Sequence, residues 1–257
     1  MPGPIRRKPI FGRTRSWPDT LFAGSDTSRP IRVRVNPRSR TYRLSINSTG
    51  DPLLSVPPRG RLSEAQTFLD RHADWLNVRL ERRPGPVAFT HGAEVPLRGT
   101  MHRIKGTGRL RGTVQVHQDN GERLLLVPGG EEHMARRLTD WLKKQALADV
   151  TRASQHHADR LGVAFSAIRV RAQSSRWGSC SSSGRLNYNW RLVLAPPFVL
   201  DYVAAHEVAH LCEMNHSARF WARVKQTLPD MERGRAWLKA HGSELMRYGI
   251  SRSRTAG

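Results

Sequence analysis

Residues 196–216 constrain this chain more than any other stretch, because they combine an apolar helix with polar groups that it cannot bury alone. No Gly or Pro interrupts Phe198–Leu211, and two prolines stand before it, where a helix tolerates them best. Apolar residues occupy nearly every side of the segment, so the sequence predicts a buried helix. His206, Glu207 and His210 nevertheless lie within it.

The spacing of these three residues suggests what they bind. His206 and His210 are four residues apart and share one face of the predicted helix, so one metal ion satisfies both rings. Unpartnered, such buried polar groups would cost about 2–7 kcal/mol each. Glu207 lies about 100° around the helix from His206, where it reaches a water on the open side of the metal. The pattern therefore predicts a catalytic zinc site, with three protein ligands and a water.

His216 is the predicted third ligand. It stands where the chain leaves the helix and turns back, directly before Ser217, a good N-cap for a following helix. Glu213 remains an alternative, either as a ligand or as an acceptor for a histidine N–H. Cys212 is predicted to be a small buried thiol, because it lies on a different helical face from the histidines.

The composition predicts a cytoplasmic protein. The chain has 257 residues, enough for one large domain or two small ones. Two cysteines are too few for a disulfide framework, which favours a reducing compartment. No apolar run approaches the length of a membrane span, and the first twenty residues lack the apolar core of a secretory signal, so no membrane partner is expected.

The formal net charge of +22 is partly segregated. Only six of the 43 basic residues are lysine, which is typical of a coding bias toward arginine. Residues 1–61, however, hold thirteen basic and three acidic residues in less than a quarter of the chain. This basic N-terminal region predicts salt-dependent binding of nucleic acid or another polyanion, although no recognised nucleic-acid-binding module accompanies it.

Changes in pattern along the chain predict four segments. These are a flexible basic tail over 1–30, a β-rich α+β unit over 31–130, a metal-binding catalytic domain over 131–250 and a tail over 251–257. A pair of glycines marks the boundary near residue 130.

Periodicity predicts individual elements within the two central segments. Ile31–Val35 and Tyr42–Ile46 alternate apolar and polar residues across a turn, which predicts an antiparallel hairpin with one apolar and one basic face. Short β segments follow up to residue 128, and helical spacing then predicts a long helix over Glu131–Leu161. His156 and His157 on that helix are predicted to be exposed. Alternation over Leu186–Leu194 predicts a strand that leads to the metal-binding helix.

Several segments of the sequence resemble the YgjP-like metallopeptidase domain family, which is related to the SprT-like and Wss1-like zinc proteases. The resemblance is dense over residues 165–242 and looser in the N-terminal strands. Its segments are QSSRWGSC at 173–180, RLNYNWRLVLAPP at 185–197, AHEVAHLCEMNH at 205–216 and WLKAHG at 237–242.

The resemblance implies an α+β, zincin-like metallopeptidase domain, preceded by a β-rich N-terminal unit. In such a domain a small antiparallel sheet lies over the helix that carries His206, Glu207 and His210, and His216 completes the site.

The predicted function is zinc-dependent hydrolysis of a peptide or an unfolded protein. Glu207 takes a proton from the attacking water and passes it to the leaving group. The Leu186–Leu194 strand, at a sheet edge, aligns an extended peptide by strand addition. Arg176 or Asn189 stabilises the developing oxyanion, and Arg176 with Trp177 equally fits a bracing role.

Two other classes of protein remain open at this point. A metal-dependent hydrolase of a phosphoanhydride, such as a nucleotide, would use the same activated water and the arginines as phosphate partners, although the sequence lacks a Gly-rich phosphate loop. A basic nucleic-acid-associated protein with a structural metal site is the second alternative. Structural sites are usually closed by four protein ligands, which a water-facing glutamate disfavours.

Overall fold

The computed structural model describes residues 17–249, apart from residues 25, 48–49, 82–84 and 174–175 and the side chains of residues 26–28. The chain divides into two compact units, Met1–Asn47 with Asp51–Arg82 and Ser48–Gly50 with Arg83–Gly257. The predicted boundary near residue 130 therefore lies inside the second unit. The predicted tail at 251–257 lies outside the described residues.

The first unit is a four-stranded sheet with two helices. Its elements are β1 (Thr20–Ala23), β2 (Asp26–Val35), β3 (Arg43–Ile46), β4 (Pro52–Val56), α1 (Leu62–Arg71) and α2 (Ala73–Glu81). The strand order is β1-β2-β4-β3. Ile31 and Leu54 from the sheet and Leu69 from α1 are fully buried together, so the helices cover one face of the sheet.

Two predictions for this unit were wrong. β1 and the start of β2 lie within the predicted tail over 1–30, of which residues 1–16 are outside the described part of the chain. The predicted hairpin does not form, because β4 lies between β2 and β3, parallel to β2 and antiparallel to β3. Alternation determines which face of a strand is buried, but it does not determine the neighbouring strand.

The second unit begins with another four-stranded sheet, which packs on a long helix. The strands are β5 (Glu94–Leu97), β6 (Thr100–Gly106), β7 (Gln115–Asp119) and β8 (Glu122–Val127), in the order β5-β6-β8-β7. The helix is α3 (Glu131–Leu161), which ends at a left-handed Gly162, as predicted. Ile104 and Leu125 of the sheet share a buried core with Leu138 of α3, which is why the chain does not divide at residue 130.

The remaining elements include the predicted metal-binding helix. They are β9 (Ala167–Arg171), β10 (Gly178–Cys180), β11 (Arg185–Asn189), a 3₁₀ helix (Trp190–Leu194), α4 (Pro197–Ala209), α5 (Ala218–Thr227) and α6 (Met231–Leu245). The three strands form a sheet in the order β10-β11-β9. No helix in the described part of the chain is both long and apolar enough to cross a membrane.

The predicted strand over Leu186–Leu194 ends at Asn189, where the 3₁₀ helix begins. The Asn189 side chain caps that helix, since its Oδ1 accepts a hydrogen bond from the Arg191 backbone N–H at 3.2 Å. All five residues of the 3₁₀ helix are buried, so their apolar character reflects the core rather than a strand. The strand β11 is also central in its sheet, not at the predicted edge.

His157 is buried, contrary to prediction, whereas its neighbour His156 is exposed. The His157 ring lies between the hydroxyl of Thr227, at 2.7 Å from Nδ1, and a carboxylate oxygen of Asp201, at 3.0 Å from Nε2. Nε2 donates to the Asp201 carboxylate, and Nδ1 pairs with the Thr227 hydroxyl. This polar bridge connects α3 to both α4 and α5.

We expect His157→Phe to lower the free energy of unfolding by about 1–3 kcal/mol, because the change keeps the ring but leaves the buried Thr227 hydroxyl without its partner. His156→Phe, one residue away on the exposed face, should change it by less than about 0.5 kcal/mol. Urea titration monitored by tryptophan fluorescence measures both values. Equal losses for the two variants would contradict the bridging role.

Candidate metal centre

The helix α4 is buried on almost every side, and it brings two of the predicted ligands together. It packs against α3, α5, α6 and β10. His206 lies in its last turn, and His210 is its C-terminal capping residue. Ser217 then caps α5, as predicted, by accepting a hydrogen bond from the Phe220 backbone N–H at 3.3 Å. This turn places His216 opposite the two helical histidines.

The rings of His206, His210 and His216 converge. One potential ligand atom from each lies within 4.8 Å of the other two. The Nε2 atoms of His206 and His216 are 3.1 Å apart. The ring of Phe220 lies beneath all three, with centroid separations of 4.9, 4.4 and 4.8 Å respectively, and provides an apolar floor.

The lowered pKa values of His206 and His210 suit metal binding, because a metal binds the neutral imidazole. Burial, followed by the nearby His210 and His216, lowers the pKa of His206 to about 4. Burial also lowers the pKa of His210. The Nδ1–H of His210 donates to the backbone carbonyl of Glu213 at 3.0 Å, which leaves Nε2 with a free lone pair.

The contact between His206 and His216 provides a test of whether a metal fits. Two neutral rings that both present lone pairs across 3.1 Å repel each other, unless a proton or a cation lies between them. The other ring nitrogen of His206, Nδ1, provides no compensating hydrogen bond, since it is buried and has no partner among the residues that the structure describes. A cation shared by the three rings removes the repulsion. A set of three imidazoles therefore fits a divalent transition metal such as zinc.

The two alternative ligands, Glu213 and Cys212, lie outside the group of converging rings. Neither Glu213 nor Cys212 contributes a side-chain atom to the group of three histidines. Glu213 instead orients His210 through its backbone carbonyl. Cys212 is a partly buried free thiol.

Glu207 lies on the next face of α4, against the strand β10. Its side chain is 5% exposed. A Cβ atom built on Gly178 would lie 2.6 Å from Cγ and 2.7 Å from Cδ of Glu207, and closer still to Oε1. The carboxyl group therefore rests directly on the backbone of the strand. Burial raises the pKa of Glu207 to about 8, and the positive charge of Arg176 opposes that rise.

Gly178 is a residue that sequence reasoning missed. A glycine inside a strand often marks a close approach of another group to the backbone, and that signal was present in the segment WGSC.

The pKa of Cys180, two residues further along β10, is also affected by Glu207. Burial and then the charge of Glu207 raise the pKa of this thiol to about 11, so it stays protonated at neutral pH and is a poor nucleophile.

The two residues predicted to bind substrate differ in their surroundings. Arg176 is exposed, and its charge acts on Glu207. Asn189 is fully buried, and both ends of its amide are used. Its Nδ2 donates to the backbone carbonyl of Gln173 at 2.7 Å, while Oδ1 caps the 3₁₀ helix. The side chain of Asn189 therefore braces the polypeptide from a buried position, and its contact with a substrate stays a prediction.

Comparison with known proteins identifies a family. The family model described as YgjP-like, metallopeptidase domain, matches residues 40–241. The chain is also similar to the crystal structure of the metallopeptidase zymogen of Pyrococcus abyssi abylysin, with 24% sequence identity and a TM-score of 0.34. That similarity covers 39% of this chain and 99% of the other. No curated protein sequence matches the chain.

For the three histidines, we expect the purified protein to hold about one zinc ion per chain. His216→Ala should weaken zinc binding strongly, because it removes one of three converging rings. Cys212→Ser, at a neighbouring thiol outside the cluster, should leave the metal content unchanged. Elemental analysis after equilibrium dialysis measures both. Full zinc content in His216→Ala would show that the third ligand is misassigned.

For the contact between Glu207 and β10, we expect Gly178→Ala to destabilise the protein by about 1–3 kcal/mol through overpacking. The same change in a Glu207→Ala background should cost less, since the three atoms nearest the new methyl group all belong to Glu207. A double-mutant cycle measured by urea denaturation should give a coupling energy of about 0.5–3 kcal/mol. Additive losses would mean that the two residues do not touch.

Proposed function

Because this chain belongs to the YgjP-like metallopeptidase family, we propose that it is a zinc-dependent peptidase in which three histidines hold the metal and Glu207 is the general base. The ligands in this proposal are His206, His210 and His216. The observation that carries it is the position of Glu207, adjacent to His206 in sequence but outside the cluster of rings, with its carboxyl group buried against β10.

The chemistry divides between the metal and the protein. When bound, zinc would supply Lewis-acid activation of a water and of the substrate carbonyl. Glu207 takes a proton from the attacking water and delivers it to the leaving amine. Burial raises the pKa of Glu207 to about 8, and a cation bound among the histidines would lower it. A base with a pKa near the working pH both accepts and returns a proton efficiently.

The edge strand β10, rather than the central β11, supports strand addition by a peptide substrate. The Asn189 backbone N–H donates to the Trp177 carbonyl at 2.8 Å, and the Ser181 N–H donates to the Arg185 carbonyl at 3.0 Å. Antiparallel pairing alternates, so the N–H and C=O groups of Gly178, between these pairs, point away from β11. An extended peptide paired with this edge passes the carboxyl group of Glu207.

Arg176 is the proposed partner of the developing oxyanion. It lies two residues before Gly178, where β10 begins, and it is exposed. Its positive charge opposes the rise in the pKa of Glu207, the proposed base beside the histidine cluster. A fixed positive charge at that position stabilises negative charge on a substrate oxygen.

We expect Glu207→Gln to lower kcat on a fluorescently labelled unfolded protein by a factor of about 10²–10⁴, because glutamine keeps the size of the side chain but is not a base. Zinc content and melting temperature should stay close to those of the parent. Proteolysis assays and elemental analysis of the same preparation measure these quantities.

His206→Ala is the matched control for this variant. It should lose zinc and activity together, since it removes a ring of the cluster. Undiminished turnover by Glu207→Gln would exclude the general-base role. Loss of zinc from Glu207→Gln would show instead that Glu207 is a ligand.

A further inference from the structure

The register of the sheet in the first unit gathers three arginines on one face. Arg34 of β2 lies opposite Ser55 of β4, and Ser55 in turn lies opposite Arg43 of β3. Directly paired residues project to the same side of a sheet. Arg32 joins them, two residues before Arg34 on the same strand. All three arginines are exposed.

This face of the sheet is the one that the helices leave open. Ile31, Leu54 and Val56 point to the other side, where they form a core with α1 and α2. The paired segments Ile31–Val35, Arg43–Ile46 and Pro52–Val56 contain no acidic residue. Across the described part of the chain, none of the ion pairs involves the three arginines.

Further arginines lie in the connections at one end of this sheet. β2 and β4 are parallel, so the connections that follow them leave at one end. The Tyr42 hydroxyl holds these connections together, since it accepts from the Arg61 backbone N–H and donates to the Glu64 carboxylate, both at 2.8 Å. Six exposed arginines, three on the open face and three in these connections, are called here the arginine surface: Arg32, Arg34, Arg38, Arg40, Arg43 and Arg59.

The helical side of this unit has the opposite charge balance. α1 and α2 carry four acidic residues and two arginines: Glu64, Asp70, Asp74, Glu81, Arg71 and Arg79. A coding bias toward arginine would enrich the whole surface without regard to which face of the sheet a residue occupies. Segregation of the arginines to one side therefore requires a different explanation, and a binding surface provides it.

The dimensions and chemistry of the arginine surface favour an extended phosphate polymer. Arg32 and Arg34 are about 7 Å apart along their strand, and β2 and β3 are separated by about 10 Å across β4. Cations distributed in this way suit a chain of anions better than one compact ligand, and guanidinium groups match phosphate geometry. Insertion into an anionic membrane requires apolar side chains beside the cations. On this face Leu53 of β4 and, by alternation, Phe22 of β1 are apolar, and both are partly buried.

We propose that the arginine surface binds the phosphate backbone of a nucleic acid. Contacts of this kind carry no base specificity, so binding is independent of sequence and sensitive to salt. This function is separate from the proposed peptidase activity and does not depend on it.

The test compares two double variants that lose the same charge from the same unit. Arg34→Gln/Arg43→Gln removes two cations from the open face, and Arg71→Gln/Arg79→Gln removes two from the helices. Binding of the full-length chain to a fluorescent single-stranded oligonucleotide of about 20 nucleotides is measured by anisotropy at several salt concentrations. The first variant should reduce the slope of log K against log salt by about 1.4, and its affinity at about 0.1 M salt should fall at least tenfold. The second variant should retain the slope of the parent.

Other outcomes would overturn the proposal. They are equal losses in the two variants, absence of binding by the parent at about 0.1 M salt, and competition by polyglutamate or anionic vesicles as effective as that by the oligonucleotide. Circular dichroism establishes that each variant is folded. If Arg34→Gln/Arg43→Gln does not fold, Arg38→Gln/Arg40→Gln in the connection after β2 takes its place, and an unchanged slope there would equally overturn the proposal.

Discussion

The second unit depends on the burial of α4 together with its polar side chains. A helix enclosed on almost every side retains such groups only where a neighbouring element satisfies them. The ring of His157 on α3 meets Asp201, the turn before α5 returns His216 to the helical histidines, and β10 leaves room at Gly178 for Glu207. These contacts determine which elements surround α4.

The division of chemical roles follows from the geometry of one helical turn. His206 and Glu207 are adjacent in sequence, so their side chains diverge by about 100° and meet different neighbours. The histidine faces the aromatic floor at Phe220, while the glutamate faces the edge of a sheet. The side chains of His206 and Glu207, both carried by α4, are thus packed against different elements, and the strand that contacts the proposed base also offers an edge to an extended substrate.

In the first unit, the fold determines on which face of the sheet the arginines lie. Its sheet buries one apolar face under two helices, so the alternating polar positions of β2 and β3 must lie on the other. Alternation puts the arginines of β2 and β3 on that face, and β4 separates the two strands by the width of one strand. A hairpin between β2 and β3 would have grouped some of the same side chains, but it would not have aligned the two basic connections at one end.

The sequence by itself determined the family, the α+β class, α3 to its last residue and the elements that bring three histidines together, because helical spacing and capping are local properties. It did not determine the order of the strands, the burial of His157 or the replacement of a predicted strand by the 3₁₀ helix after Asn189. Those features depend on contacts between residues far apart in the chain. Alternation predicts whether a residue is buried or exposed, but only the packed structure decides which partner it contacts. Gly178 is an example, because its contact with Glu207 exists only where α4 packs against β10.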